Sequence, residues 1–171
     1  YMPYAVYAAH QIARLHPARD FDICIVTNDD VSLPDGDDIP EIRLVRVDPG
    51  NRFEGLFLDA RRTAGVYLPL LLPELMAADY ERVLYLDSDI FGGGGDFAAL
   101  LSCDLRGNAV GAVRDNIQWR SPARLPEVFK RVGRRSAPYF NSGVMLIDIG
   151  AAKATDFTVR AIDLGRKDPN T

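Results

Sequence analysis

Two cysteines, Cys24 and Cys103, are too few for a disulfide framework or a thiolate metal site. Cys24 lies in the apolar run Phe21–Thr27 and reads as a core residue. A basic surplus is also missing: 20 lysines and arginines face 24 acidic residues, a net charge of −4, which excludes the basic face that bulk nucleic-acid binding requires. Arg131, Arg134 and Arg135 form one local basic cluster and read as a solvated helix end. No apolar run is long enough to span a membrane, because the richest, Val66 to Ala78, is interrupted by Pro69, Pro73 and Glu74. No basic segment precedes an apolar one at the start, so a secretory leader is not expected. A reducing, cytoplasmic setting follows, with peripheral attachment at the inner membrane face of a bacterium as a variant. The two histidines, His10 and His16, have no nearby partner in sequence and read as surface or capping residues rather than metal ligands.

The remaining composition, 47% apolar and 26% charged over 171 residues, describes one globular domain, 1–171, with room for a core. The opening Tyr1-Met2-Pro3-Tyr4 and the closing Asp168-Pro169-Asn170-Thr171 read as loop without a closing element, so the domain is expected to be part of a longer protein. Ala5, Ala8, Ala9, Ile12 and Leu15 recur at helical spacing and predict a helix from Tyr4 to Leu15, stopped by Pro17. Phe21–Thr27 and Ile42–Val47 have strand patterns, separated by Asn28-Asp29-Asp30 and a loop from Val31 to Pro40. Phe53–Tyr80 is predicted to be mostly helical, with Pro69 and Pro73 at first-turn positions or kinks. Arg82–Leu86 is a strand. Gly92–Gly95 is a flexible connector rather than a phosphate loop, since no Lys-Ser/Thr follows and no G-x-G-x-x-G spacing is present. Asp96 is the predicted N-cap of a helix reaching Leu101. Ala109–Val113 is a strand, Pro122–Val132 a helix, Val144–Ile149 a sixth apolar segment and Asp156–Leu164 a last helix. Strands alternating with helices predict an α/β fold with a mainly parallel central sheet flanked by helices and ligands gathered at the carboxyl ends of the strands.

The stretch Arg82-Val83-Leu84-Tyr85-Leu86-Asp87-Ser88-Asp89 is a strand-like apolar run that ends in two carboxylates. Side chains alternate faces along a strand, so Asp87 and Asp89 point the same way while the extended backbone holds. Like charges so placed repel unless a cation sits between them. A hard divalent ion with oxygen ligands, Mg²⁺ or Mn²⁺, meets that need and completes its shell with water and phosphate oxygens. Asp-Ser-Asp is equally the chemistry of a solvated turn after a buried strand. By itself the pair fits both readings. Other strand ends carry Asn28-Asp29-Asp30, Arg114-Asp115-Asn116 and Asn141-Ser142-Gly143, and a rim of carboxylates and amides suits a metal-bound pyrophosphate beside a polyhydroxylated group.

Three motifs in order resemble glycosyltransferase family 8: Leu-Leu-Leu-Pro-Glu-Leu at 70–75, Tyr-Leu-Asp-Ser-Asp-Ile at 85–90 and Tyr-Phe-Asn-Ser-Gly-Val-Met-Leu-Ile at 139–147. Tyr1-Met2-Pro3-Tyr4 is similar to that family's first loop and Val113-Arg114-Asp115 to its middle strand, so the resemblance runs across nearly the whole chain. It implies a GT-A, Rossmann-like fold and transfer of a hexose from a UDP-sugar donor to a saccharide or glycan acceptor with retention of configuration. Under it Asp87 and Asp89 ligate Mn²⁺ (or Mg²⁺), which bridges the donor phosphates and stabilises the departing nucleoside diphosphate. Tyr1 lies against the uracil and Ser88 near the ribose, and Ser142 joins Asp87 among the nucleotide-sugar-binding residues. Asp115 and Asn141 are the catalytic candidates, facing the transferred sugar or the acceptor. Outside that context Tyr1 is a frayed terminus and Asn141-Ser142-Gly143 a tight turn.

The chain departs from the family in several places. Pro69 stands where an arginine usually helps hold the donor, and Arg62, about two helical turns earlier, substitutes only if a helix runs unbroken through Pro69. The family's first strand is expected before Tyr1, and its late histidine segment and Asp-Gln-Asp region after Thr171. Two further readings stand beside the transferase. One is a family relative that serves as a nucleotide-sugar-binding module. The other is a haloacid dehalogenase-type phosphatase, in which the first aspartate is a nucleophile and the second a general acid; that family usually has Gly-Thr after the motif, where this chain has Ile90-Phe91.

Overall fold

The structure is a computed structural model that describes residues 1–33, 41–59, 63–124, 126, 129–130 and 138–167. Helix α1 spans Met2–Leu15, with Tyr1 at its N-cap and a proline in its first turn, where the absent N–H leaves no bond unmade. Its small residues Ala9 and Ala13 are buried in a cluster with Ile23 and Ile25 of strand β1 (Ile23–Thr27), which alternates fully and partly buried positions. His16 caps the helix through its backbone N–H on Ile12. Its ring also packs edge-on to Phe97, 4.9 Å between centroids, and to Phe21. Cys24 and Cys103 are both free thiols, Cys24 half-buried with its sulfur 3.7 Å from the Tyr80 hydroxyl. Strand β2 (Ile42–Arg46) pairs parallel with β1, Ile23 opposite Ile42 through Thr27 opposite Arg46.

Residues 53–80 do not form the long helix that their apolar content suggests. After turns near Phe53, a 3₁₀ segment runs over Ala64–Leu71 and is followed by one α-turn, α2 (Leu72–Leu75). Pro69 lies inside the 3₁₀ segment and lacks the N–H that an α-helical i→i−4 ladder would require there, whereas Pro73 sits in the first turn of α2, where its missing N–H leaves no bond unmade. The apolar residues here serve burial on several sides rather than one helical face. Leu68 and Leu71 join Val47, Phe53, Leu56 and Ile162 in one core cluster. Leu72 and Met76 join Met145, Ile147, Ile149 and Ala152 in another. Arg52 reaches this segment through an ion pair with Glu74 at 2.6 Å.

The second sheet has the order β3-β5-β4, from β3 (Arg82–Leu86), β4 (Val110–Arg114) and β5 (Phe140–Asp148). β5 is antiparallel to both neighbours, so β3 and β4 run parallel to each other on its two sides. The α/β expectation holds, but the parallelism is partial: among the described residues direct parallel pairing joins only β1 and β2, because the connection leaving β4 through α4 (Asn116–Arg120) brings the chain back from the same end. Between β3 and β4, Gly94 and Gly95 adopt φ of 131° and 126°, a region side chains avoid, which makes the connector a glycine requirement. Asp96 then caps α3 (Phe97–Leu101), accepting from the Ala99 N–H at 2.9 Å as expected.

β5 ends one residue early because the Asp148 side chain accepts from the Ala151 N–H at 2.9 Å and starts α5 (Ile149–Ala154). The last helix expected over Asp156–Leu164 is present as α6 (Phe157–Lys167), following Asp156 at φ 51°, and α5 before it is an additional helix. Of the helix expected over Pro122–Val132, Pro122 and Ala123 form a turn and Phe129 and Lys130 are helical. Much of the rest, together with Arg62 and the cluster Arg131, Arg134 and Arg135, lies outside the described residues.

Ile147, fully enclosed between Val83 and Val110 of the flanking strands, is the test of this core. Ile147→Ala should lower the unfolding free energy in urea by about 2–5 kcal/mol. Val159→Ala, at a 55% exposed helix position, should change it by less than about 0.5 kcal/mol. A second expectation concerns pH. Its hydrogen bond to Arg52 holds the Glu74 carboxyl below the usual glutamate range, against the opposing effect of partial burial. A depressed value stabilises the fold above the unfolded glutamate pKa near about 4.3, and the gain disappears as pH falls through the lowered value. Both side chains are 40% exposed, so Glu74→Gln should cost under about 1 kcal/mol at neutral pH. That difference should vanish in acid; an equal difference at both pH values would refute the assignment.

Candidate functional site

β3 and β4 end at the same margin of the sheet, where β5 begins. The register Leu86 opposite Val144 continues as a hydrogen bond from the Asp87 N–H to the Gly143 carbonyl at 2.8 Å, so Asp87 stands across from Gly143. There the ladder stops. The Ile90 N–H turns back to the Asp87 carbonyl at 3.2 Å, closing a turn over Asp87–Ile90. The expectation that strand alternation aligns Asp87 with Asp89 is therefore corrected: a turn, not extended backbone, relates the two carboxylates. Asp87 and Ser88 are half-buried, whereas Asp89 is exposed.

Two neighbours bracket the Asp87 carboxylate. Tyr85, on the same face two residues earlier, donates its hydroxyl to Asp87 Oδ1 at 2.5 Å. Burial first, then this bond and the charges of Asp87 and Asp89, push the Tyr85 phenol above its usual range, so it stays protonated as a donor. From across the strand pair, a Cβ built on Gly143 would fall 2.6 Å from Asp87 Oδ2 and 3.1 Å from its Cγ. The Gly143 N–H donates to Asn141 Oδ1 at 2.7 Å.

Asn141-Ser142-Gly143 is not a turn before a strand, as expected, but an irregular part of β5 itself. β4 advances two residues from Ala112 to Arg114 while β5 advances five from Met145 to Phe140. The surplus bulges β5 away from β4, burying Gly143 and leaving Asn141 and Ser142 exposed. On the far side, the Asp115 N–H bonds the Tyr139 carbonyl at 2.9 Å, and the Asp115 carbonyl accepts from the Trp119 N–H at 2.8 Å, starting α4. Buried Gln118 accepts from the Tyr139 N–H at 2.6 Å and pins the same crossing.

The structure thus gathers Asp87, Ser88, Asn141, Ser142 and Asp115 at one sheet margin, with Asp89 on the adjoining turn. Tyr1 lies at the N-cap of α1 and is 84% exposed. Its helix meets the loop after Asp89 through Tyr7 against Phe91, 5.9 Å between ring centroids, and through Gln11 Oε1, which accepts from the Gly92 N–H at 3.1 Å. The Asn28-Asp29-Asp30 loop belongs to the β1–β2 sheet, where Asp30 pairs with Arg46 at 2.8 Å. Among the described residues, no group of three or more His, Cys, Asp or Glu side chains forms a metal cage. Two hard carboxylates fit a Mg²⁺ or Mn²⁺ ion that takes its other ligands from water and phosphate; they do not fit a closed zinc site. Among the described residues no helix is long and apolar enough to cross a membrane.

Sequence reasoning passed over Tyr85, Gly143 as an individual residue, and Gln118. The signal for Tyr85 was available in its position two residues before Asp87 on one strand face. Gln118 gives no such signal, because its role depends on where Tyr139 returns.

Comparison with known proteins agrees with this arrangement. A family model described as glycosyl transferase family 8 matches residues 1–171. Glycosyltransferase GlyF of Streptococcus pneumoniae serotype 4 is 34% identical over 112 residues, which is 66% of this chain and 24% of that protein. The structure of the galactosyltransferase LgtC, in complex with donor and acceptor sugar analogs, superposes with a TM-score of 0.68 at 24% identity over 95% of this chain and 62% of that one. GlyE of Streptococcus pneumoniae TIGR4 superposes with a TM-score of 0.64 at 18% identity over 100% of this chain and 37% of that one. The fold is that of the GT-A glycosyltransferases. The chain spans less than two thirds of the length of each of these relatives.

Proposed function

The chain belongs to glycosyltransferase family 8, and from that premise we propose that it is the donor-binding part of a hexosyltransferase. In this reading a hexose moves from a UDP-sugar to a saccharide or glycan acceptor with retention of configuration. The observation that carries it is the gathering of Asp87, Asn141, Ser142 and Asp115 at one sheet margin beside a turn that presents Asp89. Family membership replaces the phosphatase reading of the same two aspartates.

Asp87 and Asp89 would hold Mn²⁺ or Mg²⁺, which when bound neutralises charge on the departing diphosphate. Ser88, between them, offers a hydroxyl and backbone groups to the ribose. Tyr1 offers an exposed aromatic face on which a base can stack. Asn141 and Ser142, exposed on the bulge, offer an amide and a hydroxyl able to meet sugar hydroxyls as donors or acceptors. The Asp115 carboxylate, beside the transferred sugar, favours the positive character that develops at the anomeric carbon as its bond to the diphosphate breaks.

One observation favours the binding-module variant of this reading. Position 69, where the family usually has an arginine, is a buried proline inside the 3₁₀ segment and brings no cation to the donor.

Calorimetry of UDP binding to the full-length protein tests the metal-dependent reading. Binding should require Mn²⁺ or Mg²⁺, and Asp87→Ala should weaken it at least about tenfold, which is about 1.4 kcal/mol. Binding indifferent to both ion and substitution refutes it. Hydrolysis of UDP-sugars by the same protein separates an enzyme from a module, since a module binds without turnover. If Asp115 acts on the transferred sugar, Asp115→Asn should lower kcat at least about tenfold with UDP affinity unchanged.

A further inference from the structure

We propose that Gly143 and Tyr85 are positioning residues for the cation site, holding the Asp87 carboxylate in one orientation from opposite sides. The inference rests on the metal-holding role assigned to Asp87 above. Asp87 follows directly on β3, where its backbone is fixed through Gly143 but its carboxylate has left the packed part of the sheet. Left alone, that carboxylate would rotate, and the repulsion of Asp89 would turn it away. Tyr85 prevents this on one side, with its hydroxyl 2.5 Å from Oδ1. On the other side Oδ2 and Cγ lie in the space that any side chain at 143 would enter, with Cβ at 2.6 Å and 3.1 Å from them.

Gly143 is not required by its own backbone. Its φ lies outside the left-handed region that sets Gly94 and Gly95 apart. The constraint comes from the carboxylate opposite. Asn141 completes the cradle: its Oδ1 accepts from the Gly143 N–H at 2.7 Å and lies 3.0 Å from where a Cβ at 143 would stand. The Asn-Ser-Gly segment then has a duty beyond facing the sugar. It shapes the wall against which the first aspartate rests.

A carboxylate held in place before the ion arrives loses less freedom on binding it, and outer partners of metal ligands commonly set affinity by about 10–100-fold. Mn²⁺ binding to the full-length protein without nucleotide, followed by the electron paramagnetic resonance signal of the free ion, reads this directly. Tyr85→Phe and Gly143→Ala should each weaken Mn²⁺ binding by about 10–100-fold, and Asp87→Ala should abolish it.

Thermal melting without metal supplies an independent readout. The melting-temperature loss from Gly143→Ala should shrink when Asp87→Ala is present, because Asp87 Oδ2 and Cγ are then gone and only Asn141 Oδ1, at 3.0 Å, still meets the new Cβ. A Gly143→Ala chain that folds only with Asp87→Ala would make the same point. If Tyr85→Phe and Gly143→Ala both bind Mn²⁺ like the unaltered protein while Asp87→Ala does not, positioning is overturned and the metal role of Asp87 stands. Unchanged Mn²⁺ binding by Asp87→Ala overturns both.

Discussion

The hydrogen bond from the Asp87 N–H to the Gly143 carbonyl is where the sheet stops being a core and becomes a site. On one side of it the same strand face carries Val83 and Tyr85 opposite Ile147 and Met145, all within one apolar cluster. On the other side the backbone turns and presents carboxylates. Burial along β3 and β5 makes this last rung rigid, since neither strand can slide without exposing Ile147 and its neighbours. The hydrophobic core thus fixes the place of Asp87.

What was legible in the sequence follows from how local each signal is. Asp96 capping α3, the stop of α1 near Pro17, the two leading strands and the glycine connector rest on residues within a few positions of one another, and the structure reproduces them. The run over residues 53–80 differs from expectation because apolar content alone does not tell a buried layer from a helical face; Pro69 lies in 3₁₀ winding and Pro73 opens the short α-turn after it. The antiparallel placement of β5 was invisible for a different reason: it depends on where a connection of more than twenty residues returns, which no local pattern encodes. In the site, Asp87, Asp89 and the Asn-Ser-Gly segment could be nominated from residue type and order. Their mutual contact could not, because Asp87 and Gly143 meet only through the register of β3 on β5. Gln118 is the extreme case, a buried glutamine whose partner exists only after folding.

The surplus residues in β5 have a further consequence. The bulge is taken up against β4, while pairing with β3 stays regular. Asp87 and Asp115 nevertheless share one reference, since Tyr85 and Ala112 both stand opposite Met145. A residue added between Phe140 and Asn141 would lengthen the bulge and leave both strand ends in place. The rung beneath Asp87 would stay where it is. The bulge can therefore vary in length and in the side chains it presents without disturbing the two carboxylates registered behind it.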